Sequence, residues 1–207
     1  MRKAGTFFMI LGTALLAAAL ALFLFNQQES TEAGQSALEV VPQLVQQIQQ
    51  STAEETAPSQ PELLVPLELL TEEDVEMTQV EIDGHGYIGY LSLPSLNLEL
   101  PVMGDWSYQK LNIAPCRFTG TIKRENLVVM AHNYGSHFGK LSKLNLGDAV
   151  YFTDMDGNVY AYEVALKDLV APDAVEEVTA GDFDLTLFTC TYGGRSRVVV
   201  YCDRIAE

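Results

Sequence analysis

Leu185-Thr186-Leu187-Phe188-Thr189-Cys190 is the stretch that decides the fold, because β-type residues alternate along it up to a terminal thiol. Successive side chains of a strand point to opposite faces, so Leu185, Leu187 and Thr189 share one face, which suits the interior of a barrel. The other face carries Phe188 beside Cys190. There we expect an exterior groove, with Phe188 as a floor for an apolar side chain of a substrate.

Two more polar side chains stand at the ends of apolar runs. His132 follows the run 127–131, and Arg197 opens the last run of the chain, seven residues after Cys190. A thiolate attacks an amide carbonyl, an imidazole moves protons, and a guanidinium stabilises the oxygen that becomes negative. These residue types at strand ends therefore indicate nucleophilic catalysis by Cys190, His132 and Arg197.

Neighbouring residues compete for two of these roles. His137 lies five residues after His132, in a loop or in the first turn of a helix. Arg195 would share a strand face with Arg197, and His85, flanked by glycines, is typical of a loop residue. We favour His132 because an imidazole that closes an apolar strand usually lies at a rim.

From Glu81 onward, short β-type runs alternate with turn residues. Short helices are indicated over 105–112, with Asp105 or Ser107 as the cap, and over 137–144. This pattern predicts an all-β domain over residues 81–207, a closed barrel of seven or eight strands with a few short helices. The predicted strands cover residues 87–91, 96–102, 127–131, 149–153, 158–164, 184–189 and 197–201.

Asp154-Met155-Asp156-Gly157 separates two of these strands and is typical of a hairpin turn. Two aspartates and a glycine also suggest a calcium loop. An EF-hand needs its glycine at the sixth position and a glutamate at the twelfth, whereas glycine is fourth here. We therefore interpret the segment as a turn.

An uncharged apolar segment, residues 4–25, follows Arg2 and Lys3. Its length is enough to cross a bilayer as a helix, and the basic pair predicts a cytoplasmic N-terminus with the rest of the chain outside the cytoplasm. A cleaved signal peptide is the alternative, but the run ends at residues 22–26 without a small-x-small cleavage site. Residues 1–25 are therefore predicted to be a short cytoplasmic N-terminus and a single-pass anchor in the cell membrane.

Residues 26–80 are predicted to form an acidic, flexible stalk, because they are rich in Gln, Glu, Ser and Thr with scattered prolines. No Lys or Arg lies between Lys3 and Lys110, and the formal net charge of the chain is −16, which argues against a nucleic-acid partner. A short helix is the alternative, since four apolar residues fall on one helical face despite Pro42: Leu38, Val41, Val45 and Ile48.

Three cysteines are an odd number for a chain that faces an extracytoplasmic space, so one thiol stays free or bonds to a partner. Cys116 and Cys202 either form a disulfide or are small buried apolar residues. Their spacing matches no zinc site. We expect neither a metal nor a cofactor.

The residues that carry this chemistry resemble the sortases, cysteine transpeptidases that anchor proteins on the surface of Gram-positive bacteria. The family's Thr-Leu-x-Thr-Cys motif appears as residues 186–190, and its histidine before a Phe-x-x-Leu helix matches His132 and Phe138-Gly139-Lys140-Leu141. Its arginine at the start of the last strand matches Arg197. The resemblance spans roughly residues 85–205. The predicted membrane anchor and stalk before this region also fit the family.

The resemblance implies a β-barrel and a reaction through a thioester. Cys190 would cleave the Thr–Gly bond of a C-terminal sorting signal of the Leu-Pro-x-Thr-Gly type on a surface protein. An amine, commonly from a cell-wall precursor, would resolve the thioester. Thr189 would orient the substrate beside the thiol, while Asn133 and Tyr134 either line the groove or serve the loop structurally.

Pilus-building sortases carry an Asp-Pro-aromatic lid motif and often a second membrane helix, and neither is visible in this sequence. The resemblance therefore favours protein anchoring over pilus polymerisation.

Two other functions remain open at this point. A secreted cysteine peptidase or cell-wall endopeptidase would use the same thioester and resolve it with water, although many such families place Cys before His in the chain. A non-catalytic, membrane-anchored β-domain would bind a surface partner. It would not need the thiol of Cys190.

Overall fold

The computed structural model describes residues 2–54 and 76–205. The helices in these ranges are α1 (Arg2–Glu54), α2 (Tyr108–Leu111) and α3 (Val175–Val178), with 3-10 helices over Pro94–Leu96 and Phe138–Lys143. The strands are β1 (Val80–Ile82), β2 (His85–Leu93), β3 (Leu98–Met103), β4 (Cys116–Thr119), β5 (Leu127–Met130), β6 (Ala149–Asp154), β7 (Val159–Val170), β8 (Leu185–Cys190) and β9 (Arg197–Arg204). Residues 55–75 of the predicted stalk lie outside the described residues.

Eight of the described strands form a closed barrel in the order β2-β3-β4-β5-β8-β9-β7-β6, and β6 pairs back with β2. Outside the ring, β1 adds a short antiparallel hairpin to β2. Neighbouring strands are antiparallel except for β3–β4 and β5–β8, which are parallel. The prediction of an all-β, closed barrel of seven or eight strands with few short helices is confirmed.

Closure of the barrel depends on a close approach between β2 and β6 at Gly89. The φ angle of Gly89 is +147°, and a Cβ atom there would lie 2.1 Å from the carbonyl oxygen of Thr153. Glycine alone has no Cβ atom and tolerates this φ angle. Gly89 therefore lets β6 come close enough to pair with β2.

The barrel interior is filled by alternate residues of each strand. Leu185 and Leu187 of β8 are fully buried in one apolar cluster with Leu127 and Val129 of β5, whereas Phe188 belongs to a second cluster on the outer face. Each fully buried leucine contributes roughly 1.5–3 kcal/mol relative to an exposed one. The predicted alternation along residues 185–190 is confirmed.

The predicted short helix and hairpin turn are confirmed. Ser107 caps α2, because its side chain accepts a backbone N–H one turn later at 3.1 Å. The carboxylate of Asp154 accepts hydrogen bonds from the backbone N–H groups of Asp156 (3.0 Å) and Asn158 (2.8 Å) and from the hydroxyl of Tyr160 (2.8 Å). These bonds fix the β6–β7 turn.

Helix α1 extends far beyond the apolar segment, so the prediction of a flexible stalk is wrong over residues 26–54. The alternative of a helix is confirmed, and of its predicted face Val41 is buried and Ile48 packs against the barrel, but Leu38 is 77% exposed. The buried face comprises Ala33, Ala37, Val40, Val41 and Leu44, which pack on the barrel, chiefly on β3. Tertiary contact with the barrel stabilises a helix that composition alone does not favour.

Cys116 and Cys202 are both buried free thiols, and they lie in different apolar clusters. The disulfide alternative is therefore wrong, and the interpretation as small buried apolar residues is confirmed.

Candidate active site

Three adjacent strands carry the predicted chemical groups at one end of the barrel. Cys190, the last residue of β8, pairs directly with Arg197, the first residue of β9. On the other side of β8, parallel β5 pairs Met130 with Phe188, and the N–H of Ala131 donates to the Phe188 carbonyl at 3.3 Å. His132 follows two residues after Met130, just as Cys190 follows two residues after Phe188, so the parallel register brings both residues to the same end of the two strands.

Cys190 is half-buried and its thiol is free. A tight turn follows it, closed by a hydrogen bond from Thr191 N–H to the Ser196 carbonyl at 2.9 Å. The antiparallel return places Arg197 on the same face of the sheet as Cys190, because directly paired residues share a face. The register thus places the thiol-bearing and the guanidinium-bearing residues side by side.

The Arg197 guanidinium donates to the carbonyls of Gly194 and Ser196, each at 3.3 Å. Both bonds come from the terminal nitrogen Nη1, and they hold the guanidinium against the turn. Arg195, the predicted competitor, is exposed within the turn and precedes β9. Of the two arginines, Arg197 is therefore the one held next to Cys190.

The imidazole of His132 is half-buried and packs against the ring of Tyr134, with the ring centroids 4.9 Å apart and the ring planes tilted by 39°. Burial lowers the pKa of His132 below its usual value of 6.5, and the negative charge of Glu29 on α1 opposes this shift. An imidazole that is mostly neutral near pH 7 can accept a proton and return it.

His137 occupies a different environment five residues later. It is fully buried, and burial together with the proximity of His132 lowers its pKa to about 4. Its ring lies 5.6 Å from that of Tyr134. His85 begins β2, which two strands separate from β5. Of the three histidines, His132 is the one that follows within two residues of β5, the strand that pairs with β8.

Thr189 is buried, and its hydroxyl donates to the carbonyl of Ala131 at 2.7 Å. It points into the barrel as expected, so its hydroxyl is not open to the groove. The bond ties β8 to the residue that precedes His132. Thr189 thereby fixes the spacing between the thiol-bearing and imidazole-bearing segments.

Phe188 lies on the outer face next to Cys190, in the position expected for a groove floor. It is only 8% exposed, because Phe118 packs edge-on against it with ring centroids 5.4 Å apart. Trp106 continues this aromatic row at 5.8 Å from Phe118 and is partly exposed. The predicted floor is thus a row of three aromatic rings, in which Phe188 is covered by Phe118 and Trp106 is the exposed member.

Asn133 and Tyr134 line an open cleft of about 500 Å³ beside the strand ends, as the groove-lining alternative expects. The opposite walls come from the turn after Cys190, through Tyr192 and Gly193, and from α1. Sequence reasoning missed the α1 wall, which consists of Asn26, Gln27 and Ser30. A closely spaced set of small residues on α1, Ala33, Gly34 and Ala37, is the sequence signal that a helix approaches closely here.

Residues 91–205 match the family model for the sortase domain. The chain is 31% identical over 121 residues to sortase A of Bacillus anthracis, an alignment that covers 56% of this chain and 57% of that relative.

Two solved structures are similar at modest identity. Sortase C of Clostridium perfringens SM101 is 26% identical, with a TM-score of 0.51 over 82% of this chain and 91% of that one. Sortase C1 of Streptococcus suis is 27% identical, with a TM-score of 0.51 over 59% and 75% of the two chains. A lid mutant of sortase A from Corynebacterium diphtheriae, 18% identical, shares the fold with a TM-score of 0.53 over 83% and 96%. Because these neighbours include both A and C types, likeness of fold does not separate the subclasses.

Proposed function

Since this chain belongs to the sortase family, we propose that it is a membrane-anchored cysteine transpeptidase that joins surface proteins to an amine of the cell wall. The substrate is a protein that ends in a sorting signal of the Leu-Pro-x-Thr-Gly type. The observation that carries the proposal is the strand register, in which Cys190 pairs with Arg197 on one side while, on the other, Phe188 pairs with Met130, two residues before His132.

The first half-reaction forms a thioester. The thiolate of Cys190 attacks the threonine carbonyl carbon, and the carbonyl oxygen becomes an oxyanion that Arg197 stabilises. As the intermediate collapses, the C–N bond to glycine breaks and His132 gives its proton to the leaving amine. The tail of the substrate is released, and its acyl group remains on sulfur.

The second half-reaction returns the enzyme to its starting state. The incoming amine attacks the thioester carbon and gives a proton to the now neutral His132. The C–S bond breaks, Cys190 leaves as thiolate, and a new amide bond forms. No cofactor enters this scheme.

The location follows from α1. Within the described ranges it is the one helix long and apolar enough to cross a membrane. Its large apolar side chains between residues 7 and 25 are largely exposed; Phe8 is 69% and Leu16 is 75% exposed. We propose that this part lies in lipid as a single-pass anchor, with Arg2 and Lys3 inside and the barrel outside the cytoplasm.

The test is a peptide library of the Leu-Pro-x-Thr-Gly type, incubated with the full chain in detergent micelles, with and without triglycine. We expect a ligated product that depends on the amine and an acyl-enzyme visible by intact-mass spectrometry. Cys190→Ala should abolish both. Cys202→Ala, the same change at a buried thiol in the barrel core, should retain both.

Other outcomes overturn the proposal. Hydrolysis alone at every amine concentration would identify a cysteine peptidase. A complete absence of both thioester and product, with any peptide of the library, would favour the non-catalytic surface-binding domain.

A further inference from the structure

The membrane-derived helix reaches the loop that carries His132. Two turns beyond the apolar segment, α1 begins to bury small residues against the barrel, first Ala33 and then Ala37. Further along, Leu44 is fully buried with Tyr87 and Met103 of the barrel. This row of contacts fixes the helix at a defined distance from the strand ends.

The contact with the loop is direct. The hydroxyl of Ser136 donates to the backbone carbonyl of Ser30 at 2.6 Å. Gly34 faces the same serine, and a Cβ atom at residue 34 would lie 3.0 Å from the Ser136 Cβ. A glycine at this position lets α1 lie close against residues 134–136.

This close approach places a carboxylate beside the aromatic pair of the candidate site. The Tyr134 hydroxyl lies 3.4 Å from Glu29 Oε2, with Asn112 Oδ1 a second acceptor at 3.5 Å. Burial, and then the charge of Glu29, raise the pKa of Tyr134 above 10.0, so its hydroxyl stays protonated and donates. The ring of Tyr134 also packs against the imidazole of His132, with the ring centroids 4.9 Å apart.

We propose that Glu29 is a positioning residue for His132, acting through Tyr134, so that the membrane-derived helix completes the catalytic site. The proposal rests on the transpeptidase function proposed above. Glu29 holds Tyr134 in the orientation that supports the imidazole, and its negative charge favours the imidazolium that must protonate the leaving amine. Glu29 itself does not touch the substrate.

The test is a direct titration of the imidazoles. The chain has three histidines, so [¹³Cε1]-histidine labelling of the full chain in micelles gives three signals, which His→Gln variants assign. We expect Glu29→Gln to lower the pKa of His132 by about half a unit or more, because removal of the nearby negative charge disfavours the imidazolium. Glu29→Asp, which keeps the charge, should recover most of the shift.

Turnover provides the second readout. A shift of half a unit to one unit changes the protonated fraction about threefold to tenfold, so kcat of Glu29→Gln should fall by that factor while KM for the sorting peptide stays the same. Tyr134→Phe keeps the ring but loses the hydroxyl that contacts Glu29, so it should also lower kcat. Glu32→Gln is the matched control, because Glu32 is exposed, lies one turn further on and pairs with Gln28.

The two proposals fail separately. An active enzyme in which Glu29→Gln leaves the His132 titration unchanged overturns the role of Glu29. So does an equal shift in Glu32→Gln, which would reflect only overall charge. A wild-type chain that forms no thioester overturns the proposed function, whatever the titration gives.

Discussion

His132 and His137 are five residues apart in the chain, but their imidazoles lie in different environments. His132 is half-buried next to two residues that line the cleft, Asn133 and Tyr134, and the charge of Glu29 acts on it. His137 is fully enclosed between the loop and α1, and among the described residues neither ring nitrogen has a hydrogen-bond partner of good geometry. The carbonyls of Ala33 and Ile113 lie beside its ring and only partly oppose the effect of burial. A buried imidazole of this kind is held neutral, and it costs stability when it is protonated.

His137 should therefore make the protein less stable in acid. Its pKa is about 4 in the folded state and about 6.5 in the unfolded state, so the unfolded chain binds more protons between these values. Stability does not depend on this group above pH 6.5 and falls as the pH drops toward 4; the loss is about 2 kcal/mol at pH 5. Urea unfolding of the full chain in micelles at pH 7.5 and pH 5 measures it.

The matched variant is His137→Phe, which keeps an aromatic ring and cannot be protonated. Its free energy of unfolding should change about 2 kcal/mol less between the two pH values than that of the wild type. An identical change in both proteins would contradict the assignment of this pH dependence to His137.

The sequence predicted Cys190, His132 and Arg197 as neighbours because each residue closes or opens an apolar run. It did not predict the bond from Thr189 to Ala131, nor the position of Glu29. Alternation along a strand tells which face a side chain occupies, but not which distant strand or helix lies against that face. In the structure Thr189 braces β8 against the segment that leads to His132, while its orienting role toward the substrate stays a prediction.

At the scale of elements, the loop between β5 and the 3-10 helix decides where His132 points. It reverses within a few residues, through hydrogen bonds from Phe138 N–H to the His132 carbonyl at 3.2 Å and from Gly139 N–H to the Tyr134 carbonyl at 2.9 Å. A Cβ atom at residue 139 would lie 2.4 Å from the Asn133 carbonyl oxygen. The loop closes only because residue 139 is a glycine.

Gly139→Ala should therefore open this loop. We expect a loss of about 1–3 kcal/mol in the free energy of unfolding, as for overpacking, and a lower kcat because His132 moves with the loop. Gly135→Ala is the control in the same loop, since nothing lies within 4 Å of its Cβ position. Urea unfolding and the ligation assay measure both effects, and equal stability losses in the two variants would contradict the close approach at Gly139.

The short elements were predictable because their signals are local: turn residues, a capping serine and alternation of period two. The long extent of α1 was not predictable in this way. Its residues 26–54 are polar and contain Pro42, and they are helical where the barrel supplies an apolar partner for one face. The four apolar residues chosen from periodicity include Leu38, which is exposed. Periodicity of large apolar residues does not identify small residues such as Ala33 and Ala37, although these allow the closest contact with the barrel.

At the scale of the whole molecule, α1 and the barrel share an apolar cluster and should unfold together. Val40 and Leu44 enter the cluster that contains Tyr87 and Met103, and the same helix carries Glu29 to the hydroxyl of Tyr134. Any change that loosens the helix should therefore affect both stability and the environment of His132.

Leu44→Ala tests this coupling, and Leu38→Ala on the same helix is its matched control. Leu44 is fully buried, so its truncation should cost about 2–5 kcal/mol, whereas Leu38 is 77% exposed and its truncation should cost less than about 0.5 kcal/mol. Hydrogen exchange should increase in Leu44→Ala over residues 29–48, and the His132 signal should titrate lower because the carboxylate of Glu29 is held less firmly. Equal effects of the two variants would mean that the helix contributes nothing to the fold of the barrel or to its active site.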